Sequence, residues 1–228
     1  KRDKSNMNKL NHIAFIMDGN GRWGKKKSKN RNSGHLKGVE TVKKIVKCCI
    51  KLKVPVVTFY VFSSENWKRP KKEVTFLFKL IKNYFINEIE KVVSRGIKIN
   101  IIGDINKLSK DLKTTLNKTQ VLTNNNNNII VNLAINYGSK NEIIETFKKT
   151  KNRLNIRNFE KNLYTKNLPD PDILIRTGGH KRLSNFMLWQ LAYSELFFLD
   201  KLWPDFNSSD LKKIISKFKQ TKRNFGAI

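Results

Sequence analysis

The sequence predicts an α/β fold in which a mostly parallel sheet is covered by helices, and two observations carry that expectation. Six short apolar or β-branched runs, at 13–17, 56–62, 97–102, 129–135, 173–175 and 196–199, alternate with segments whose apolar residues recur at helical spacing. Most of these runs are apolar at consecutive positions, as strands buried on both faces require.

The first run ends abruptly in Asp18, Gly19, Asn20, Gly21 and Arg22. Here the two glycines let backbone N–H groups approach an anion, Asp18 can hold a divalent cation, and Arg22 can fork onto phosphate oxygens. As a bare motif it is equally an ordinary turn. Residues 25–31, KKKSKNR, read as a basic loop, either a solvated linker or a lid over an anionic ligand. Val39, Val42, Val46 and Cys49 then mark a helix.

After the second run comes FSSENWKRPKKE, residues 62–73. Ser63, Ser64, Asn66 and Arg69 supply hydrogen-bond donors, Trp67 a flat apolar wall, and Pro70 opens the next helix. That helix carries Val74, Leu77, Phe78, Ile81, Phe85, Ile89 and Val92 on its apolar face. The Asn124 to Asn128 tract is a loop before the fourth run. In the segment from Pro171 to Glu195, Arg176 ends a strand, Gly178 and Gly179 permit a tight path, and Arg182 with Ser184 adds phosphate-binding groups. A surface salt-bridge loop is the competing reading. Phe186, Leu188, Trp189 and Leu191 read as core. Glu195, a carboxylate entering an apolar strand, requires a cation or a partner. The last helix has Ser208 or Ser209 as cap and Leu211, Ile214, Ile215 and Phe218 on one face. Ligands bind beyond the carboxyl ends of strands in open parallel sheets, and Asp18, Ser63 and Arg176 each fall just past a strand.

Composition narrows the function classes. The 228 residues suit one large domain. A formal net charge of +29 points to nucleic acid, an anionic membrane face or a phosphorylated substrate. Lys and Asn are spread through every segment, so the position of a charge carries more weight than the total. Cys48 and Cys49 are adjacent among Ile45, Val46 and Ile50 and read as core thiols in a reducing compartment. No apolar run approaches a membrane span, so a soluble or peripheral protein is expected. The chain opens on Lys1, which leaves room for a removed targeting segment and a plastid-like, cytosolic or reticulum-face location. Residues 1–11 and 224–228 are expected to be flexible ends of the single domain.

Taken together, HIAFIMDGNGRW, FYVFSSENWKRP, NYGS, LIRTGG, RLSNFMLWQLAYSEL and LWPDF make the chain resemble the cis-prenyltransferases, the undecaprenyl and dehydrodolichyl diphosphate synthase family. The resemblance spans residues 12–206. It implies a six-stranded parallel sheet, an apolar tunnel with the active site at its mouth, and a homodimer. The implied reaction condenses isopentenyl diphosphate onto an allylic diphosphate with Mg²⁺ to give a cis-polyprenyl, dolichol-type diphosphate. Gly19, Asn20, Gly21, Arg22 and Trp23, helped by Arg31 and His35, would hold the allylic diphosphate. Asp18 and Glu195 would hold Mg²⁺. Arg176, Arg182 and Ser184 would clamp isopentenyl diphosphate. Phe62, Ser63, Ser64, Glu65, Trp67, Arg69 and Glu73 would link the two substrates. Asn66 would take part in proton removal by orienting, since an amide is a poor base. His35 could instead be structural, as His12 is expected to be.

The chain departs from the family pattern at His180, where Glu is usual. Lys222 to Gly226, with Arg223 and Gly226, resembles the Arg-x-x-Gly ending of homodimeric members, and contact with a membrane would come through the lipid product. Two other classes compete. A non-catalytic subunit of a heteromeric prenyltransferase would lack parts of the diphosphate and metal set that this chain keeps. A basic nucleic-acid-binding protein would show a recognisable module or a striped charge, and neither is present, so no nucleic-acid partner is expected. The paired Asp-rich motifs of trans-prenyltransferases are also missing.

Overall fold

The run HIAFI forms β1 (His12–Ile16), buried at every position and paired in parallel on both sides, with β2 (Val56–Ser63) and β5 (Ile173–Arg176). The structure is a computed structural model that describes residues 9–28, 30–150 and 154–223. Adding β3 (Ile97–Ile102), β4 (Ile129–Tyr137) and β6 (Glu195–Phe198) gives one six-stranded sheet in the order β3-β4-β2-β1-β5-β6, with every pairing parallel. The strand order reverses direction at β1, the place where such sheets open a ligand crevice.

Seven α-helices accompany the strands among the described residues, the last of them after β6: α1 (Asn20–Ser28), α2 (Arg31–Lys51), α3 (Lys71–Ser94), α4 (Lys110–Thr123), α5 (Ser139–Lys149), α6 (Ile156–Glu160) and α7 (Ser208–Gln220). The basic segment expected to be a loop is therefore mostly helical. Lys25, Lys26 and Lys27 end α1, where cations favour the negative end of the helix dipole, and α2 starts at Arg31 behind the Asn30 cap. The expected cap of the last helix is also corrected. Asn207 accepts from Ser209 and Asp210 N–H in a capping box, which leaves Ser208 inside α7.

Alternation along each strand divides the core in two. Ile13, Phe15, Val57 and Phe59 face the layer that contains α2, α3 and α7, whereas Ala14, Ile16 and Leu174 face Phe186, Met187 and Leu191. Phe15 stacks on Phe59 at 4.9 Å, and Trp203 meets both rings edge-on. Cys48 and Cys49 are buried and unbonded to each other, as expected of core thiols. Residues 1–8 and 224–228 of the expected flexible ends, Gly226 among them, lie outside the described residues. Asn11 is tied down, its N–H donating to Asp172 at 2.7 Å. No helix among the described residues is long and apolar enough to cross a membrane.

Candidate active site

Asp18 leaves β1 at its carboxyl end and is fixed by its own backbone. Its carbonyl accepts from the Thr177 hydroxyl at 2.8 Å and from Trp203 N–H at 3.0 Å. Gly19 follows with φ +106°, a conformation that side chains resist, and turns the chain into α1. The first N–H groups of α1 have no partner within the helix, and its first turn carries no acidic residue, so that end is electropositive.

The Asp18 carboxylate meets two guanidinium groups. Arg176 Nη2 donates to Oδ2 at 3.0 Å and Arg22 Nη2 to Oδ1 at 3.2 Å. Arg22 also donates to the Gly178 carbonyl at 2.7 Å, where Gly178 has φ +88° and a Cβ would lie 2.5 Å from the guanidinium. Arg176 is buried and spans the site, donating from Nη1 to Ser184 Oγ at 2.7 Å and to the Arg182 carbonyl. Its Nε is buried without a partner, a donor left over for an anion.

A second carboxylate gathers the other basic groups. Glu73 accepts from Arg31 Nε and Nη2, both at 3.1 Å, and from Arg69 Nη1 at 3.2 Å, with His35 Nε2 at 3.5 Å. Burial pushes the Glu73 carboxyl up, but Arg31, Arg69 and His35 outweigh it and hold it below the usual range. Burial lowers the His35 pKa more than Glu73 raises it, so the ring is neutral at physiological pH. Asn20 Oδ1 is buried with no hydrogen-bond partner, and buried His35 Nε2 has only the 3.5 Å approach of Glu73; both residues line the cleft.

The cleft has a volume of about 680 Å³. It brings together Asp18, Gly19, Asn20, Gly21, Arg22, Arg31, His35, Ser63, Glu65, Asn66, Arg69, Arg176 and Ser184 from the expected set. Others stand behind it. Phe62 is buried and packs on Trp67, whose Nε1 donates to Asn136 Oδ1 at 2.8 Å, and Trp23 Nε1 donates to Asp205. Ser64 lies beside Gly138, and Glu73 acts through the bases it holds. The Arg182 side chain is exposed and does not line the cleft, while its carbonyl anchors Arg176.

Glu195 is a correction. It opens β6 level with Ile173 and Ile13, two strands to the side of β1 and at the opposite end from Asp18, which lies five residues on, more than about 16 Å away at ~3.3 Å per residue. Within one chain the two cannot share a cation. The partner that Glu195 requires is Arg223, at 3.7 Å, which also reaches Asp172 and the Tyr193 carbonyl. Sequence reasoning missed Tyr60 and Asn185 as lining residues. Asn185, with φ +60°, accepts from Lys140 N–H and donates to Glu65 at 2.8 Å. Its place directly after Ser184 was the available signal.

Asp18, whose Oδ1 and Oδ2 here accept from Arg22 and Arg176, would be the residue to hold a divalent cation of the Mg²⁺ type. Such ions keep several waters and need only one or two carboxylates when substrate phosphates supply the remaining oxygens. Among the described residues no group of three or more His, Cys, Asp or Glu could form an all-protein cage.

Below the cleft, Met17, Asn20, His35, Val61 and Leu77 also border an apolar cavity of about 120 Å³ between α2, α3 and the sheet. Val42, Tyr84, Phe85 and Leu133 form its common wall with a second cavity of about 290 Å³.

Residues 16–226 match the prenyltransferase family model described as undecaprenyl diphosphate synthase. An isoprenyl transferase of Oceanobacillus iheyensis is 44% identical over 227 residues, covering 95% of this chain and 90% of its own. A ditrans,polycis-undecaprenyl-diphosphate synthase, (2E,6E)-farnesyl-diphosphate specific, of Buchnera aphidicola is 45% identical over 229 residues, covering 96% and 92%. The crystal structure of lavandulyl diphosphate synthase from Lavandula x intermedia, in complex with dimethylallyl diphosphate, matches with a TM-score of 0.91 at 31% identity, covering 95% of this chain and 98% of that one.

Proposed function

The chain belongs to the undecaprenyl diphosphate synthase family of prenyl transferases, and on that premise we propose that it condenses isopentenyl diphosphate onto an allylic diphosphate, with Mg²⁺, to build a cis-polyprenyl diphosphate. The observation that carries this reading is the junction of two environments. The electropositive start of α1, with Asp18, Arg22 and Arg176, sits at the mouth of an apolar cavity, as a substrate with a diphosphate head and an isoprenoid tail requires.

In this reading the allylic diphosphate takes the α1 N–H groups, Arg22 and Arg31, and its tail enters the cavity below. Isopentenyl diphosphate takes Arg176 and Ser184, with Arg182 swinging in from the rim. When bound by Asp18, Mg²⁺ supplies charge neutralisation for the departing diphosphate. The π electrons of isopentenyl diphosphate form the new bond to C1 of the allylic substrate as its C–O bond breaks. A proton then leaves the former isopentenyl unit. Asn66, whose Oδ1 accepts from Ser63 N–H, orients that unit, and the released diphosphate takes the proton. Neutral His35 offers a hydrogen bond at the floor. An apolar passage continuing from the small cavity would house the growing tail.

We also propose a homodimer. Ile144 and Phe147 on α5, Leu154, and Ile156 at the start of α6 expose apolar side chains that contact with a second copy would bury. Light scattering of an active preparation tests this, and an active monomer would refute it. The function itself is tested by incubating the chain with Mg²⁺, labelled isopentenyl diphosphate and a short allylic diphosphate. The proposal expects labelled, solvent-extractable polyprenyl product. Activity only after adding a different protein would favour the non-catalytic-subunit reading.

A further inference from the structure

The second apolar cavity is open between α2 and α3, and its banks are cationic. Lys43, Lys47 and Lys51 recur at i, i+4 and i+8 on α2, and Lys91 and Arg95 stand on the facing end of α3. Its floor is Val46, Ile50, Val92, Ile97, Ile99 and Val131. The single carboxylate there, Glu88, pairs with Lys43 at 3.0 Å and Lys91 at 3.4 Å. Lys47, Lys51 and Arg95 form no ion pair among the described residues, and both lysines are exposed. At this groove the cations Lys43, Lys47, Lys51, Lys91 and Arg95 border an apolar trough.

We propose that this groove docks the chain on an anionic phospholipid surface, with the Lys and Arg banks against headgroups and the trough open to hydrocarbon. Basic clusters on helices are drawn to anionic leaflets by roughly additive contributions from each cation, and an apolar trough between them suits acyl or isoprenoid chains. A nucleic acid would use the banks but leave the trough empty, which is why lipid is favoured. The position adds a reason. Val42, Tyr84, Phe85 and Leu133 line both this trough and the inner cavity under the cleft, so a long apolar product would have its route to the bilayer here.

The test is sedimentation of the full chain with phosphatidylcholine vesicles, with and without phosphatidylglycerol. Lys47→Glu/Lys51→Glu is compared with Lys212→Glu/Lys213→Glu on α7, which makes the same change in net charge on exposed residues. The proposal expects binding that needs the anionic lipid and falls by about tenfold or more in the groove variant only. Equal losses in both variants would overturn it, as they would show diffuse charge at work. It is also overturned if the groove variant keeps its vesicle affinity, including the case in which it loses affinity for duplex RNA alone. Circular dichroism melting of both variants checks that the fold is kept. The readout is binding rather than turnover, so a chain that docks but makes no polyprenyl product would fault the proposed function alone.

Discussion

Asp18 and Arg176, 158 residues apart in sequence, stand at the carboxyl ends of neighbouring parallel strands and meet at 3.0 Å. The guanidinium at once holds the carboxylate, the Ser184 hydroxyl and the Arg182 carbonyl. A lysine has the charge but not the fork. Arg176→Lys should therefore fold yet weaken diphosphate binding by about 1.5–3 kcal/mol, the range for a charged hydrogen bond. Apparent KM for each substrate measures it, and unchanged values would remove Arg176 from the site.

Arg182 separates the two substrate positions. Its side chain is exposed at the rim beside Ser184, on the β5 side of the cleft. Arg182→Ala should weaken isopentenyl diphosphate by about 1.5 kcal/mol and leave the allylic substrate nearly unaffected. Equal changes in both apparent affinities would mean that the two clamps are misassigned.

The strands were legible because most are runs of apolar or β-branched residues, with β3 alternating through Lys98 and Asn100, and strand ends mark where a parallel sheet binds ligands. Asp18, Ser63 and Arg176 could thus be grouped before their contacts were known. Residues 25–28 were misread because a run of lysines carries no apolar period, and only the packing of α1 on α2 shows it to be helical. Glu195 was misplaced because its match to the family pattern outweighed its position at the start of its strand, the opposite end from Asp18 in a parallel sheet. The role of Glu73 as the shared acceptor for Arg31 and Arg69 depends on a contact across 42 residues, which spacing alone cannot supply.

His12 predicts an acid-sensitive fold. Its ring, fully buried, bonds to the Pro169 carbonyl and the Thr58 hydroxyl, both at 2.7 Å, and burial lowers its pKa from 6.5 to about 4. Between those values the unfolded chain binds a proton that the folded chain refuses. Stability should therefore fall as pH drops from 6.5 towards 4, by up to about 3 kcal/mol. Asp170, raised to about 6 chiefly by burial, acts in the opposite direction as pH falls from 6 to 3.8. Thermal melts from neutral to acid pH should show a shallower dependence in His12→Asn than in the unaltered chain. Parallel curves would contradict the assignment.

Tyr84 predicts a control of product length. Its ring packs edge-on against Phe85 at 5.2 Å in the wall between the two apolar cavities, with Lys43 over its face. Removing the ring opens the wall, so Tyr84→Ala should lengthen the polyprenyl product by whole isoprene units. Adding Val46→Phe, which fills the space beyond, should reverse the lengthening. An unchanged product distribution in Tyr84→Ala would show that the chain stops elsewhere.

The central claim is that Asp18 directs diphosphate departure at the mouth of the apolar cavity. Its most direct test is the single-turnover release of diphosphate from a labelled allylic substrate, followed against Mg²⁺ concentration in the unaltered chain and in Asp18→Asn. The amide keeps the shape beside Arg176 and removes the charge. The account predicts release that requires both Mg²⁺ and isopentenyl diphosphate and falls by roughly 10²–10⁴ in Asp18→Asn, with the melting temperature little changed. Release at an equal rate in the two proteins at saturating Mg²⁺ would contradict it.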